Sequence, residues 1–100
     1  MIMTGMLGAI VLTGGALFDN CNAKGARRVS CEAYVRGVVD ATVTIGQSAG
    51  ETLLCVPEAI PDSRIADTVS RYIASVPDKR HMTASSLTLY ALQLTYPCPD

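Results

Sequence analysis

The chain has 100 residues, of which 49% are hydrophobic and 17% charged, so it is long enough for one globular domain and too apolar to be disordered. Eight basic residues nearly balance nine acidic ones, and the basic group Lys24, Arg27 and Arg28 is too small for a nucleic-acid-binding surface. We interpret that group as a solvated loop and expect no nucleic acid as a partner.

The N-terminal segment contains an apolar run from Met6 to Leu12, followed by small residues that a signal peptidase can recognise. Because no Lys or Arg precedes the run, three interpretations stay open: a secretory signal truncated at its start, an unusual signal, or a buried N-terminal helix. We adopt the first, with residues 1–12 as the signal peptide and 13–100 as the mature domain. The segment is marginal as a membrane anchor, so no membrane attachment is expected after cleavage.

The first clear helix is predicted to begin near Val29 or Ser30, with the Ser30 side chain as its cap, and to end near Ile45. Residues at three- and four-residue spacing predict the face that meets the core. They are Cys31, Tyr34, Val35, Val38, Thr42 and Ile45. Acidic and basic residues alternate at four-residue spacing on the opposite side, at Glu32, Arg36 and Asp40, where they stabilise a helix.

Gly37 lies in the middle of this helix, where glycine costs about 1 kcal/mol relative to alanine. Either another backbone passes close to it, or the helix simply tolerates it. The helix is expected to fade at the next glycine, and the polar residues that follow predict an exposed loop. This segment consists of Gly46, Gln47, Ser48, Ala49, Gly50, Glu51 and Thr52.

Two further helices are predicted. One begins at Pro61 and Asp62 and stops at Pro77, with a buried stripe of Ile65, Val69, Tyr72, Ile73 and Val76. A charged corner, Asp78 to His81, separates it from a last helix that begins near Thr83. No residue from Met82 to Pro99 is charged, so this helix should be covered on several sides by the other helices or by a second copy of the chain.

The four cysteines, Cys21, Cys31, Cys55 and Cys98, include no closely spaced pair of the kind that structural zinc sites use. Their even number in a small exported domain favours two disulfides and an oxidising compartment, the periplasm, with no metal and no cofactor. Three pairings are possible; we prefer Cys31 with Cys55 and Cys21 with Cys98. The predicted fold is all-α, a small disulfide-stapled helical bundle of three to four helices.

Catalysis is not expected. His81 is the only histidine, and a cysteine nucleophile would have to be a free thiolate, which disulfides remove. Phosphate-binding glycine loops are absent from the sequence. His81 is more simply a cap or a surface residue, so we expect a protein that is not an enzyme.

Several spaced elements together resemble the Rap/Tai group of type VI secretion immunity proteins. They are the helix CEAYVRGVVD (31–40), the turn CVPE (55–58), the corner PDKRH (77–81) and the terminal YPC (96–98). The segment TGGALFDNC (13–21) is also similar to that group. The matching motif residues are Tyr34, Gly37, Asp40, Pro57, Glu58, Pro77, Arg80, His81 and Pro97.

This resemblance implies a periplasmic, commonly dimeric helical inhibitor that binds a cognate secreted amidase effector and plugs its cleft with a loop. We expect the loop to be residues 46–52, with the Pro77–His81 corner as the alternative. For Arg80 and His81 we prefer a structural role, as a corner that holds the second and third predicted helices together. Two rival functions stay open: a small periplasmic disulfide-linked chaperone or stress protein, and a membrane-attached accessory protein that keeps its N-terminal segment.

Overall fold

The computed structural model describes residues 11–99, which form four α-helices and, within that range, no β-strand. The helices are α1 (Gly14–Cys21), α2 (Ala26–Ala49), α3 (Asp62–Ser75) and α4 (Ala84–Thr95), and a 3-10 turn (Pro77–Lys79) lies between α3 and α4. With its two disulfides, this architecture confirms the predicted helical bundle. The predicted signal peptide lies, apart from its last two residues, outside the described residues.

Helix α1 is joined to the start of α4 by backbone hydrogen bonds. The Thr13 hydroxyl caps α1 by accepting from the amide of Ala16 at 3.2 Å, which satisfies one free amide of the first turn. The amide of Gly14 donates to the carbonyl of Met82, and the amide of Ala84 donates to the carbonyl of Leu12, each at 2.8 Å. Leu12 is therefore tied to the folded body, and its side chain packs against the core.

Helix α2 begins earlier than predicted, at Ala26, and Ser30 lies inside the helix, where it is exposed and does not cap it. Gly25 precedes the helix with a φ of 67°, a left-handed conformation that glycine adopts without strain. The chain reverses direction there, between α1 and α2. The prediction failed because the basic residues after Gly25 suggested a solvated loop.

Arg28 is a helical residue that connects three helices. Its guanidinium donates to the carbonyl of Cys21 at 2.7 Å, to Glu32 at 2.9 Å, and, across the bundle, to Asp67 at 2.9 Å and the carbonyl of Ser63 at 3.0 Å. Partial burial lowers the pKa of Arg28, but the hydrogen bonds and opposite charges of Glu32 and Asp67 outweigh it, so the pKa is raised. Arg28 therefore stays charged and holds α1 and α3 against α2.

The core face of α2 is as predicted only in its first half. Cys31 and Val35 are buried as predicted, whereas Val39, which was not predicted, is buried in place of the half-buried Val38. Ile45, which was expected in the core, is 62% exposed. The 24 residues of α2 span about 36 Å, whereas the 14 residues of α3 span about 21 Å. The last turns of α2 therefore extend past the other helices, and Ile45 has nothing to pack against.

The two glycines of α2 have opposite surroundings. A Cβ atom added to Gly37 would have no neighbour within 4 Å, so no backbone among residues 11–99 passes close to it and tolerance explains this residue. A Cβ added to Gly46 would lie 2.7 Å from the carbonyl oxygen of Glu51 and 3.2 Å from the Leu53 side chain. Only a glycine lets the chain fold back this closely onto the end of α2.

Substitution of these glycines by alanine should change the free energy of unfolding in opposite directions. Gly37→Ala is expected to stabilise the protein by up to about 1 kcal/mol, the difference in helix propensity. Gly46→Ala should destabilise it by about 1 to 3 kcal/mol, because the backbone at Glu51 must move. Urea denaturation of both variants measures this, and equal effects at the two positions would contradict the structure.

Helices α3 and α4 form where the sequence predicts them. Pro61 precedes α3, and the Thr83 hydroxyl caps α4 by accepting from the amide of Ser86 at 3.2 Å. In α3, Ile65, Val69 and Ile73 are fully buried and Tyr72 is half-buried, as is Val76, which follows the last residue of the helix.

The expectation that α4 is covered on several sides is met on one face only. Leu87 and Leu92 are fully buried, but Tyr90 is 47% and Leu94 is 72% exposed. Within this chain, the other helices leave that outer side of α4 open.

The preferred disulfide pairing is wrong. The bonds join Cys21 to Cys31 and Cys55 to Cys98, with Cα atoms 5.0 and 5.1 Å apart. Because the chain reverses at Gly25, the last residue of α1 lies beside the second turn of α2. Cys31 is therefore held near the start of α2, while Cys55 follows its far end, where the C-terminal tail after α4 passes.

Candidate functional site

Residues 46–52, predicted to form an exposed loop, are the last turn of α2 and the chain that leaves it. Gly46 to Ala49 are helical, and Gly50 ends the helix in the left-handed conformation with a φ of 72°. Its amide donates to the carbonyl of Gln47, and the amide of Glu51 donates to that of Gly46 at 2.8 Å. Gly46 is buried and the other six residues are exposed, so the segment is a helix end with a fixed backbone.

Beside this helix end lies a groove of about 410 Å³ between α2 and the irregular segment 51–61, here called the α2 groove. Apolar residues from one side of α2 and from the facing segment line it. They are Val39, Val43, Leu54, Val56 and Pro57. Val39 and Leu54 are buried and belong to the core, so the floor of the groove is continuous with the interior of the bundle.

Charged side chains surround the α2 groove. Arg36 donates two hydrogen bonds to one carboxylate oxygen of Asp62, at 2.7 and 2.9 Å, and one of 3.5 Å to Asp40. The hydrogen bond to Asp62 raises the pKa of Arg36 most, and partial burial opposes it. Glu58, also in the lining, makes no ion pair with any described residue.

The Pro77–His81 corner, the alternative contact surface, lies at the opposite end of α3 from the α2 groove. The amide of Gly15 donates to the carbonyl of Arg80 at 2.9 Å. The Arg80 guanidinium lies 4.2 Å from the centre of the Phe18 ring, a cation–π contact, and its buried Nε has no hydrogen-bond partner among the described residues. Arg80 thus contacts α1, while His81 is exposed.

A comparison with protein families matches residues 13–98 to Rap1a immunity proteins. The chain belongs to the Rap1a immunity protein family. The match covers the described chain apart from its first two residues and its last. A comparison with curated proteins finds none that matches. The membership implies that the protein binds a cognate effector.

The immunity protein brings some of its motif residues together and separates others. Asp40, Pro57 and Glu58 all line the α2 groove, although Pro57 and Glu58 are distant from Asp40 in sequence. Gly37 is exposed on α2 outside that lining, and Tyr34 is half-buried against the core. Pro77 and His81 are exposed at the corner, and Pro97 is exposed next to the Cys55–Cys98 disulfide.

Sequence reasoning missed a second groove, of about 380 Å³, on the surface of α3 and α4. It is lined by Tyr72, Lys79, Tyr90, Gln93 and Leu94. Tyr72 was predicted in the buried stripe of α3. Tyr90 and Leu94 belong to the uncharged last helix, which was predicted to be covered on several sides by the other helices or by a second copy. The spacing carries no signal that distinguishes the covered face from the open one.

Residues 11–99 offer little for other kinds of site. All four cysteines are in disulfides, so none of them supplies a thiolate. In the described part of the chain, no three His, Cys, Asp or Glu side chains are grouped so that they could hold a metal ion. None of the helices there combines the length and apolarity needed to cross a bilayer.

Proposed function

We propose that this immunity protein binds and inhibits a peptidoglycan-cleaving amidase effector of a type VI secretion system, and that it acts in the periplasm. The observation on which this depends is the family match over residues 13–98. Two disulfides support the location, because such bonds form and persist in oxidising compartments. The amidase is the target that the motif resemblance implies.

The contact surface of this proposal is the end of α2, residues 46–52, together with the adjoining α2 groove. The exposed side chains there are short or polar and stand on a backbone that the Gly50 cap and the Glu51 hydrogen bond fix. A rigid surface loses little conformational entropy on binding, which favours tight inhibition. The corner at Pro77–His81 is less suited, because Arg80 is already engaged with Phe18.

Two further parts of the proposal concern processing and assembly. We infer that residues 1–12 act as a signal peptide and that residues 13–100 are the mature domain. The mass of the protein recovered from the periplasm would test where the chain is cleaved. A homodimer is also proposed: Tyr90 and Leu94 provide exposed apolar surface on α4 that a second copy would cover.

We infer that the amidase is encoded beside the gene of this protein, and the test uses that amidase and the purified mature domain. We expect a stable complex by calorimetry and protection of cells that carry the amidase in the periplasm, measured as culture turbidity. Ala49→Arg should raise the dissociation constant at least tenfold, because a long charged side chain would stand in the contact surface. Ala74→Arg, at an exposed position of α3, is the matched control and should leave affinity within twofold.

If the wild-type domain gives no complex and no protection, the amidase is not the target. Equal losses with Ala49→Arg and Ala74→Arg would show that the contact lies elsewhere on the molecule.

A further inference from the structure

We propose that the α2 groove receives a cationic side chain, a lysine or arginine on the surface of the effector. The inference rests on the proposed function, since it names the chemistry of the partner at that surface. It depends on the shape of the groove, on the charges around it and on the way its outer wall is fixed.

The groove suits a long side chain with an apolar stem. Its floor is formed by the buried side chains of Val39 and Leu54, and its sides by Val43 and Val56. Lysine and arginine bury their methylene groups against apolar surface while the charged end stays near water or a counter-ion. A volume of about 410 Å³ lies within the range of sites that hold small ligands.

The charges of the groove favour a cation. Asp62 takes the two short hydrogen bonds of Arg36, so these two groups largely neutralise each other. Asp40 is held only by a 3.5 Å contact and its side chain is 66% exposed, and Glu58 has no ion pair among the described residues. Two carboxylates are therefore available to a partner, and an anionic or wholly apolar occupant would leave them desolvated and unpaired.

The outer wall of the groove is fixed before binding. Leu54 and Val56 flank Cys55, which is bonded to Cys98, and the amide of Ile60 donates to the carbonyl of Pro57 at 3.3 Å. Glu58 lies within that turn. The wall therefore presents Glu58 opposite Asp40 with little freedom to lose on binding.

The second groove differs in the charge it presents. It contains Lys79 and no carboxylate, so it would not attract a cation. Acidic residues that are distant from the α2 groove provide a matched control. Asp19 on α1 and Asp78 at the corner are exposed and make no ion pair within residues 11–99.

The test compares two double variants with the same change of net charge. Asp40→Asn with Glu58→Gln keeps the shape of the groove and removes its charge; Asp19→Asn with Asp78→Asn removes equal charge elsewhere. Binding of the amidase is measured by calorimetry at low salt, about 0.03 M, and at high salt, about 0.3 M. The electrostatic screening length is roughly threefold shorter at the higher concentration. Circular dichroism confirms that each variant is folded, and the single variant Glu58→Gln serves if the double variant is not.

We expect the groove variant to bind at least tenfold more weakly than the wild type at low salt and to lose most of the salt dependence. The control variant should stay within threefold of the wild type. A groove variant that binds like the control would overturn the proposal that the groove receives a cationic side chain, and would leave the proposed function intact. A wild-type protein that does not bind the amidase would overturn both.

Discussion

Replacing both Cys55 and Cys98 by alanine should lower the free energy of unfolding by about 4 kcal/mol. The bond joins residues 43 positions apart, and the chain-entropy estimate for a loop of that length gives about 4 kcal/mol. The two segments it connects, 51–61 and 96–99, have no regular secondary structure beyond isolated turns. Little else holds these segments together, so we expect guanidinium denaturation to measure most of this loss in the free energy of unfolding.

The natural control for that variant is the reduced wild-type protein. Cys21 and Cys31 are buried, whereas Cys55 and Cys98 are partly exposed, so a mild thiol reductant should open the Cys55–Cys98 bond first. Alkylation followed by mass spectrometry identifies the thiols released. The singly reduced wild type and the double alanine variant should then unfold at the same denaturant concentration, and a loss below about 1 kcal/mol in either would contradict the prediction.

Leu17→Ala is expected to destabilise the protein by about 3 kcal/mol, within the range measured for buried leucine residues. Leu17 is fully buried, and α1 packs against α2, α3 and α4. A helix of eight residues is not stable alone, so α1 depends on this packing and on its Thr13 cap. The cavity left by the missing side chain would lie between α1 and the helices it packs against, and the Cys21–Cys31 disulfide limits how far α1 and α2 can move to fill it.

Leu94→Ala is the matched control for that substitution. Both leucines lie in helices, so the change in helix propensity is the same. In the single chain Leu94 is 72% exposed, so at protein concentrations too low for the proposed dimer its loss should change the stability of the monomer by less than about 0.5 kcal/mol. Thermal and denaturant unfolding of the two variants measure the difference. Similar values for both would mean that α1 does not pack in the core as described.

The two helices whose boundaries were predicted correctly have local signals at their ends. Pro61 and Asp62 start α3, and the Thr83 hydroxyl caps α4, each through contacts within a few residues. The ends of α2 are different. Its start depends on the reversal at Gly25 and on the bonds that Arg28 makes to α1 and α3, and its end depends on the chain that folds back onto Gly46. None of these contacts is visible in a helical periodicity.

The candidate site was predictable only in part. Residues 46–52 and the motif residues Asp40, Pro57 and Glu58 were all identified along the sequence, as separate elements. That the last three share one groove with Val39 and Leu54 follows from the path of the segment 51–61 beside α2. Spacing along one helix cannot show what an irregular segment will cover, since that segment has no period of its own.

By itself, the sequence determined the helical class, the presence of two disulfides and the family to which the chain belongs. These properties depend on composition, on short-range spacing and on motifs, which are written along the chain. Only the tertiary structure decided which cysteines pair, which side of α4 stays open and which residues line the α2 groove. Each of these depends on which segments meet after the chain reverses, and so on distances between residues that are far apart in the sequence.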